Sequence, residues 1–313
     1  MEYRQLGSAG ARVSAIGLGT NRFGIRVDQQ GVSAIIDQAL ELGITFFDTA
    51  NVYQQGRSEE TIGVALKGRR HSVVVATKGY YETGPGPNDY GASRLHLISA
   101  VEASLRRLQT DYIDLYQVHR WDPTTPIEET LRALDDMVRA GKLRYVGASN
   151  FAAWQLARAN LLAEVRGWTP FVTIQPEYHM LERSIERELL PFCAAHGVGV
   201  LPYFPLAGGF LTGKYRRGQP APAGSRGESS DYVQKFMTDA TYTLIERLSA
   251  WAAERGHTLG ELAHAWLLAR PEVSSVISGA TAVEQVMANA RAVEWRLRPD
   301  ELAEVNAILG PAT

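Results

Sequence analysis

One cysteine, Cys193, occurs in 313 residues, so the chain can form no internal disulfide. It falls in a predicted amphipathic helix, where a packed thiol fits the pattern better than a nucleophile. No apolar run reaches membrane-spanning length. The opening Met1-Glu-Tyr-Arg-Gln-Leu-Gly7 lacks the apolar core of a signal peptide. These absences predict a cytoplasmic protein without a membrane partner. Charge of one sign is missing too. The formal net charge is -2, and no basic excess points to nucleic acid. There is no low-complexity tail and no linker that would separate two domains. Residues 1–313 are therefore expected to form one domain, of a length that suits an α/β barrel.

What is present is alternation. Residues 1–16 read as a small hairpin turning at Gly7-Ser-Ala-Gly10. Short apolar runs at 16–20, 44–48, 73–78, 112–119, 143–149, 171–175, 198–203 and 273–277 read as strands buried on both faces. Between them come helical patterns at 31–42, 58–66, 93–108, 126–140, 154–164 and 185–196. Ser58 is a plausible N-cap, Pro126 suits a first turn, and Gly141 and Gly197 mark helix ends. Eight such units predict an α/β fold, a (β/α)8 TIM barrel with the N-terminal hairpin. An open doubly wound sheet is the rival, but no reversal in the pattern marks a switch point. An extra helix at 259–269 precedes strand eight, a helix at 283–295 follows it, and a C-terminal helix covers 300–309. The segment 207–238 is rich in Gly, Pro, Ser and Arg, and reads as a structureless functional or mobile loop.

The run Ile44-Thr-Phe-Phe-Asp48 ends abruptly in a carboxylate, with Tyr53 five residues on. Alone, Asp48 could be a turn residue that satisfies loop amides. The other strands end similarly: Lys78, His119, Ser149 with Asn150, Gln175 and Tyr203. In a barrel these ends meet on one face. Taken singly, His119 could be a core histidine and Lys78 could snorkel to solvent. Together they suit proton transfer to an oxygen. A tyrosine phenol has a reference pKa near 10, and a neighbouring ammonium favours its anion. Lys78 can supply that charge, Asp48 can hold Lys78, and His119 can orient a carbonyl. No activated Ser or Cys and no obvious carboxylate pair argues for acyl transfer or glycoside hydrolysis.

Asp48, Tyr53, Lys78 and His119, in this order, resemble the catalytic tetrad of the aldo-keto reductase superfamily. The surrounding stretches share the likeness: Gly17-Leu-Gly-Thr-Asn21, Phe47-Asp-Thr-Ala50, Asp114-Leu-Tyr-Gln-Val-His-Arg120, Gly147-Ala-Ser-Asn150 and Pro205-Leu-Ala-Gly-Gly-Phe-Leu-Thr-Gly-Lys214. The similarity spans nearly the whole chain and is nearest in kind to the bacterial and plant oxidoreductase branch. It implies reduction of aldehydes or ketones by hydride from a nicotinamide, with Tyr53 as proton donor and no metal. Ser149, Asn150 and Gln175 would hold the carboxamide, and Tyr203 would stack on the ring. Gly19, Thr20 and Asn21, beside Asp48, would line the ribose. Phe204, Pro205, Leu206, Gly208 and Lys214 would border the pyrophosphate. Gly279, Thr281, Gln285 and Asn289 would take the adenosine end.

Two positions depart from the pattern. Phe204 stands where the family often has a serine. The turn Gly279-Ala-Thr-Ala-Val283 carries no cation to pair with a 2′-phosphate. NADPH is the expectation from the resemblance, with NADH or dual use open. Phe23, Arg26, Tyr53, Tyr80, Tyr81, His119 and Trp121 are expected to line the substrate pocket, whose aromatic walls suit apolar or aryl aldehydes. A second reading is a cofactor-binding regulatory subunit, since potassium channel β-subunits resemble this chain. Met1 lies only a few residues before the hairpin, which argues against a pore-plugging extension. A lyase using Lys78 as a Schiff base is a third reading, and would need a lowered lysine pKa.

Overall fold

Two short antiparallel strands open the chain, β1 (Tyr3–Gln5) and β2 (Arg12–Ser14). The computed structural model describes residues 1–312. Eight further strands follow: β3 (Ile16–Gly19), β4 (Phe46–Asp48), β5 (Val74–Gly79), β6 (Ile113–Val118), β7 (Leu143–Ser149), β8 (Phe171–Gln175), β9 (Gly199–Val200) and β10 (Val276–Gly279). All seven pairings among them are parallel, in the order β10-β3-β4-β5-β6-β7-β8-β9. Parallel bridges Val200–Val273 and Tyr203–Ile277 join the two ends. Ser274 N donates to Val200 O at 2.9 Å, and Ile277 N donates to Pro202 O at 2.9 Å. The sheet therefore closes into a barrel, as the repeat predicts.

Strand seven is shorter than the sequence suggests. Pro202 has no N–H to give to the ladder, and pairing there falls to single bridges.

Helices α1 (Gln29–Glu41), α2 (Arg57–Ala65), α3 (Arg94–Leu108), α4 (Ile127–Arg139), α5 (Ala153–Arg166) and α6 (Leu189–His196) follow successive strands. Then come the short α7 (Asp231–Gln234), α8 (Asp239–Ala253), α9 (Leu259–Leu268), α10 (Val283–Arg291) and α11 (Pro299–Leu309). The sequence reading missed α8. Its buried Ile245, Leu248, Trp251 and Ala252 keep helical spacing, and Thr238 caps it by accepting from Thr241 N. It also misplaced one cap. Helix α2 starts after Gly56 with no side-chain cap, and Ser58 is buried. Its hydroxyl donates to Thr20 O at 2.9 Å and lies 2.9 Å from the hydroxyls of Thr20 and Thr49. Ser58 thus ties the ends of β3 and β4 together.

The hairpin closes the barrel end opposite the strand C-termini. Leu6, Ala9 and Val13 form one apolar cluster with Phe46, Ala76, Leu115, Val172, Leu201 and Ile277 from the barrel lumen. Gly7 has φ 59, and a β-carbon there would collide with the backbone of Val172 and Gly199. Only glycine allows both that conformation and that approach. The larger core lies between the strands and the helices. No helix among the described residues is long and apolar enough to cross a membrane.

The segment 207–238 is not structureless. It holds 3-10 turns at Ala207–Thr212 and Arg226–Glu228 and the helix α7. Phe210, Leu211, Tyr215, Val233 and Phe236 bury themselves beneath it.

Candidate active site

Asp48 is the last residue of β4, with its backbone paired to Gly19 on one side and Ala76 on the other. Lys78 lies on β5, level with Gln117 of β6. Both side chains point into the barrel mouth. Lys78 is fully buried, and its Nζ donates to Asp48 Oδ2 at 2.7 Å, to Thr49 O at 2.8 Å and to the Tyr53 hydroxyl at 3.5 Å. Burial works against the ammonium, but Asp48 and then Tyr53 overcome it and hold its pKa above the ordinary lysine value. The other Asp48 oxygen accepts from Gln175 Nε2 at 2.8 Å and from Gln117 Nε2 at 3.4 Å. A buried charge pair is tolerable only when its remaining hydrogen-bonding capacity is met in this way.

Tyr53 begins a 3-10 turn in which Gln54 and Gln55 both adopt left-handed backbone, with φ 51 and 58, before Gly56 at φ 88. Non-glycine residues held there cost roughly 1–3 kcal/mol each. Gln54 Nε2 helps to hold the turn by donating to Asn21 O at 2.8 Å. The turn swings the Tyr53 ring over Lys78 and places it edge-on to His119, with ring centres 6.0 Å apart. Burial pushes the Tyr53 hydroxyl above the ordinary tyrosine pKa, and Lys78 pulls against it. The expected net lowering is therefore absent, because burial outweighs the ammonium. Tyr53 stands as a protonated acid whose anion Lys78 can stabilise.

His119 follows β6 and is 9% exposed. Burial first, and the Lys78 charge second, push its pKa well below 6.5, so the ring is neutral at pH 7. Its Nδ1 is buried without a hydrogen-bond partner among the described residues. Tyr81 packs edge-on against the ring at 4.8 Å.

The polar residues of the next strand ends support one another. Ser149 Oγ donates to Gln175 O at 2.9 Å, and Asn150 Nδ2 donates to Ser149 Oγ at 3.0 Å and to His119 O at 3.2 Å. The Tyr203 hydroxyl donates to Asn150 Oδ1 at 3.0 Å. Asn150 is held at φ 56 and Phe204 at φ 56. Gly19 and Gly279 pair across β3 and β10. A β-carbon on Gly19 would come within 3.0 Å of Ile277 Cγ2 and 3.6 Å of Gly279 Cα, so this rim of the mouth is bare backbone. Such an edge lets an extended ligand approach main-chain amides closely.

The remaining expected residues are more scattered. Thr20 is buried and its hydroxyl donates to Asp48 O at 2.8 Å. Pro205 is buried and Leu206 is half-buried. Gly208 has φ 67 and sits against Tyr232 and Val233. Lys214 is exposed, with its amine near Gly209. Thr281 N donates to Gln285 Oε1 at 2.8 Å, both residues are exposed, and Asn289 is buried. Tyr80, Tyr81 and Trp121 line a cavity of about 470 Å³ beside His119. Four pocket expectations fare differently. Tyr53 and His119 do not line this cavity. Phe23 is 0% exposed within the main core, as an apolar ring flanked by β3 and α1 would be. Arg26 is exposed and donates to Gly224 O at 3.2 Å, so it binds the 207–238 segment rather than the cavity.

Three residues were missed. Gln117 supports Asp48 from mid-strand, where its polarity among apolar neighbours was the available signal. Arg120 lines the cavity. Arg226 is half-buried, with its guanidinium 5.5 Å from the Phe204 ring. Burial, then the charges of Arg22 and Arg26, pull the Arg226 pKa below the ordinary value. These three arginines gather by long-range packing that no local motif reports.

A family model described as the aldo/keto reductase family matches residues 15–309. The chain is 41% identical over 324 residues to an uncharacterized oxidoreductase of Bacillus subtilis, covering 99% of this chain and 97% of that protein. It is 38% identical over 319 residues to a probable voltage-gated potassium channel subunit beta of rice, covering 99% and 97%. It is 34% identical over 319 residues to L-glyceraldehyde 3-phosphate reductase of Escherichia coli K12, covering 98% and 92%. With the closed barrel and the strand-end constellation, these matches place the chain in the aldo/keto reductase family.

Proposed function

We propose that this protein reduces aldehydes or ketones to alcohols, using a reduced nicotinamide dinucleotide. One observation carries the reading: a half-buried tyrosine stands over a buried ammonium–carboxylate pair, beside a neutral histidine. The cofactor would supply hydride to the carbonyl carbon. Tyr53 gives its proton to the carbonyl oxygen, and Lys78 stabilises the phenolate left behind. Asp48 keeps Lys78 charged and fixed. His119, being neutral, orients the carbonyl oxygen through a ring N–H rather than competing as an acid. A raised lysine pKa disfavours the Schiff-base reading, which needs the free amine.

The residues at the mouth fit the dinucleotide. Ser149, Asn150 and Gln175 are pre-set by mutual hydrogen bonds to hold a carboxamide. Tyr203, fixed by Asn150, offers a face for the ring. The bare rim at Gly19 and Gly279 lets the ribose and phosphates lie close. Lys214, Arg226 and Arg22 would supply positive charge for the pyrophosphate, which NADH and NADPH share. NADPH is the preference that the family likeness suggests, although the turn at 279–283 carries no cation for a 2′-phosphate. Dissociation constants for NADPH and NADH, read by tryptophan quenching, test this. A preference for NADH of roughly tenfold, about 1.4 kcal/mol, would contradict it.

Reductase names among the relatives support the activity. The channel-subunit names support a second role, as a cofactor-binding regulatory partner. A panel of aldehydes and ketones with both cofactors decides between them. Steady consumption of reduced nicotinamide that depends on the carbonyl is expected. Tight cofactor binding without turnover would favour the regulatory role.

A further inference from the structure

Beyond His119 the cavity changes character. Its inner wall is aromatic: Tyr81 packs on His119, and Trp121 packs edge-on against Phe151 at 5.3 Å. Its outer wall is polar. The hydroxyls of Tyr80 and Tyr90 lie 2.6 Å apart, and Asn150, Gln155 and Arg120 also line it.

Arg120 is exposed, and Asp122, two residues further on, is engaged elsewhere. Asp122 accepts from Ala92 N at 2.8 Å, from Thr124 N at 2.9 Å and from the hydroxyls of Thr124 and Thr125 at 2.6 and 2.8 Å. Those bonds hold its pKa below the usual carboxylate value despite partial burial. Arg120 has no ion-pair partner among the described residues. A free guanidinium on the wall of a cavity next to the reacting centre is placed for an anion of the substrate, because its planar fork matches carboxylate and phosphate oxygens.

Resting on the reductase reading, we propose that the preferred substrates are short carbonyl compounds bearing an anionic group, and that Arg120 binds that group. The carbonyl sits at Tyr53 and His119. The carbon chain lies along Tyr81 and Trp121, and the anion meets Arg120, with the exposed Tyr90 hydroxyl at hand. This differs from the apolar or aryl preference that the aromatic residues alone suggest. Arg120 acts in binding and takes no part in proton transfer.

The test compares kcat/KM for two matched pairs with NADPH: succinic semialdehyde against butanal, and glyceraldehyde 3-phosphate against glyceraldehyde. The expected result is a preference of about tenfold or more for one anionic member, the size of a charge-assisted hydrogen bond. The pair that shows it separates carboxylate from phosphate recognition. Arg120→Gln should cut the anionic member about tenfold more than its uncharged counterpart, through KM rather than kcat, and Arg120→Lys should restore part of the difference. Added salt should also shrink the wild-type preference. Equal use of charged and uncharged members by the wild type overturns the proposal, and so does a preference that survives Arg120→Gln. Wild-type turnover of butanal or glyceraldehyde shows that the reductase reading stands whichever way the anion result falls. If no carbonyl in the panel is reduced, the reductase reading fails and takes this one with it.

Discussion

His119 sits between a buried lysine ammonium and the Tyr53 and Tyr81 rings, and both the burial and the charge favour its neutral form. His264 is also held neutral by burial, with its ring nitrogens 2.8 Å from Gly260 O and 2.7 Å from Ser278 Oγ. In the unfolded chain both would take up protons below about pH 6.5. The unfolded state then binds more protons than the folded one, so stability falls as pH drops below that value. The urea midpoint should decline from pH 7.5 to pH 5.5, and less steeply in His264→Gln. A midpoint that stays level would show that these rings titrate freely in the fold. The Lys78–Asp48 pair has the opposite sign. The raised lysine pKa gives stability that is present below the unfolded value near 10.4 and is lost as pH rises through the folded one. Asp48→Asn leaves a buried ammonium with weaker partners, which should cost roughly 3–5 kcal/mol in denaturant unfolding. A loss under about 1 kcal/mol, the scale of an exposed pair, would mean that water reaches the site.

Two elements set the mouth and the floor of the barrel. At the floor, Leu6 is fully buried among lumen side chains. Leu6→Ala should destabilise by about 2–5 kcal/mol while leaving kcat per folded molecule intact, because the hairpin lies at the far end from Tyr53. A catalytic defect in fully folded Leu6→Ala would contradict that separation. At the mouth, Tyr232 of α7 donates to Glu177 Oε1 at 2.7 Å, lies 2.9 Å from His179 Nε2, and packs on Phe204. These bonds hold the 207–238 segment beside the residues that would border the pyrophosphate. NADPH should therefore slow limited proteolysis within 207–238. Equal cleavage with and without cofactor would contradict a cofactor contact by this segment. The ladder positions of this architecture were legible, since runs such as Phe171–Gln175 are apolar, bounded and of strand length. The order inside 207–238 was not. Its helical turns are short and its aromatic residues pack only through tertiary contacts, so no period announces them. Helix α8, by contrast, carries a readable period and a Thr238 cap in its sequence.

At the scale of the molecule, the candidate active site and the hairpin plug occupy opposite ends of one barrel. The strand ends that carry Asp48, Lys78, His119, Ser149 and Gln175 were readable because each interrupts an apolar run with a polar group. The structure joins them into one network, from Gln117 and Gln175 through Asp48 to Lys78 and Tyr53. What the sequence could not report is distance. Arg120, Arg226 and Gln117 matter through neighbours far away along the chain. Phe23, expected at the pocket wall, is fully buried in the core. The balance at Tyr53 was equally hidden, because desolvation depends on the whole surroundings and not on Lys78 alone. The central claim is that Tyr53 is the proton donor in a carbonyl reduction. The most direct measurement is kcat for aldehyde reduction by Tyr53→Phe against the wild type, with cofactor binding measured in parallel. A loss of about 100-fold or more in kcat, at near-equal cofactor affinity, is predicted for removal of a general acid. Full turnover by the phenylalanine variant would contradict the account.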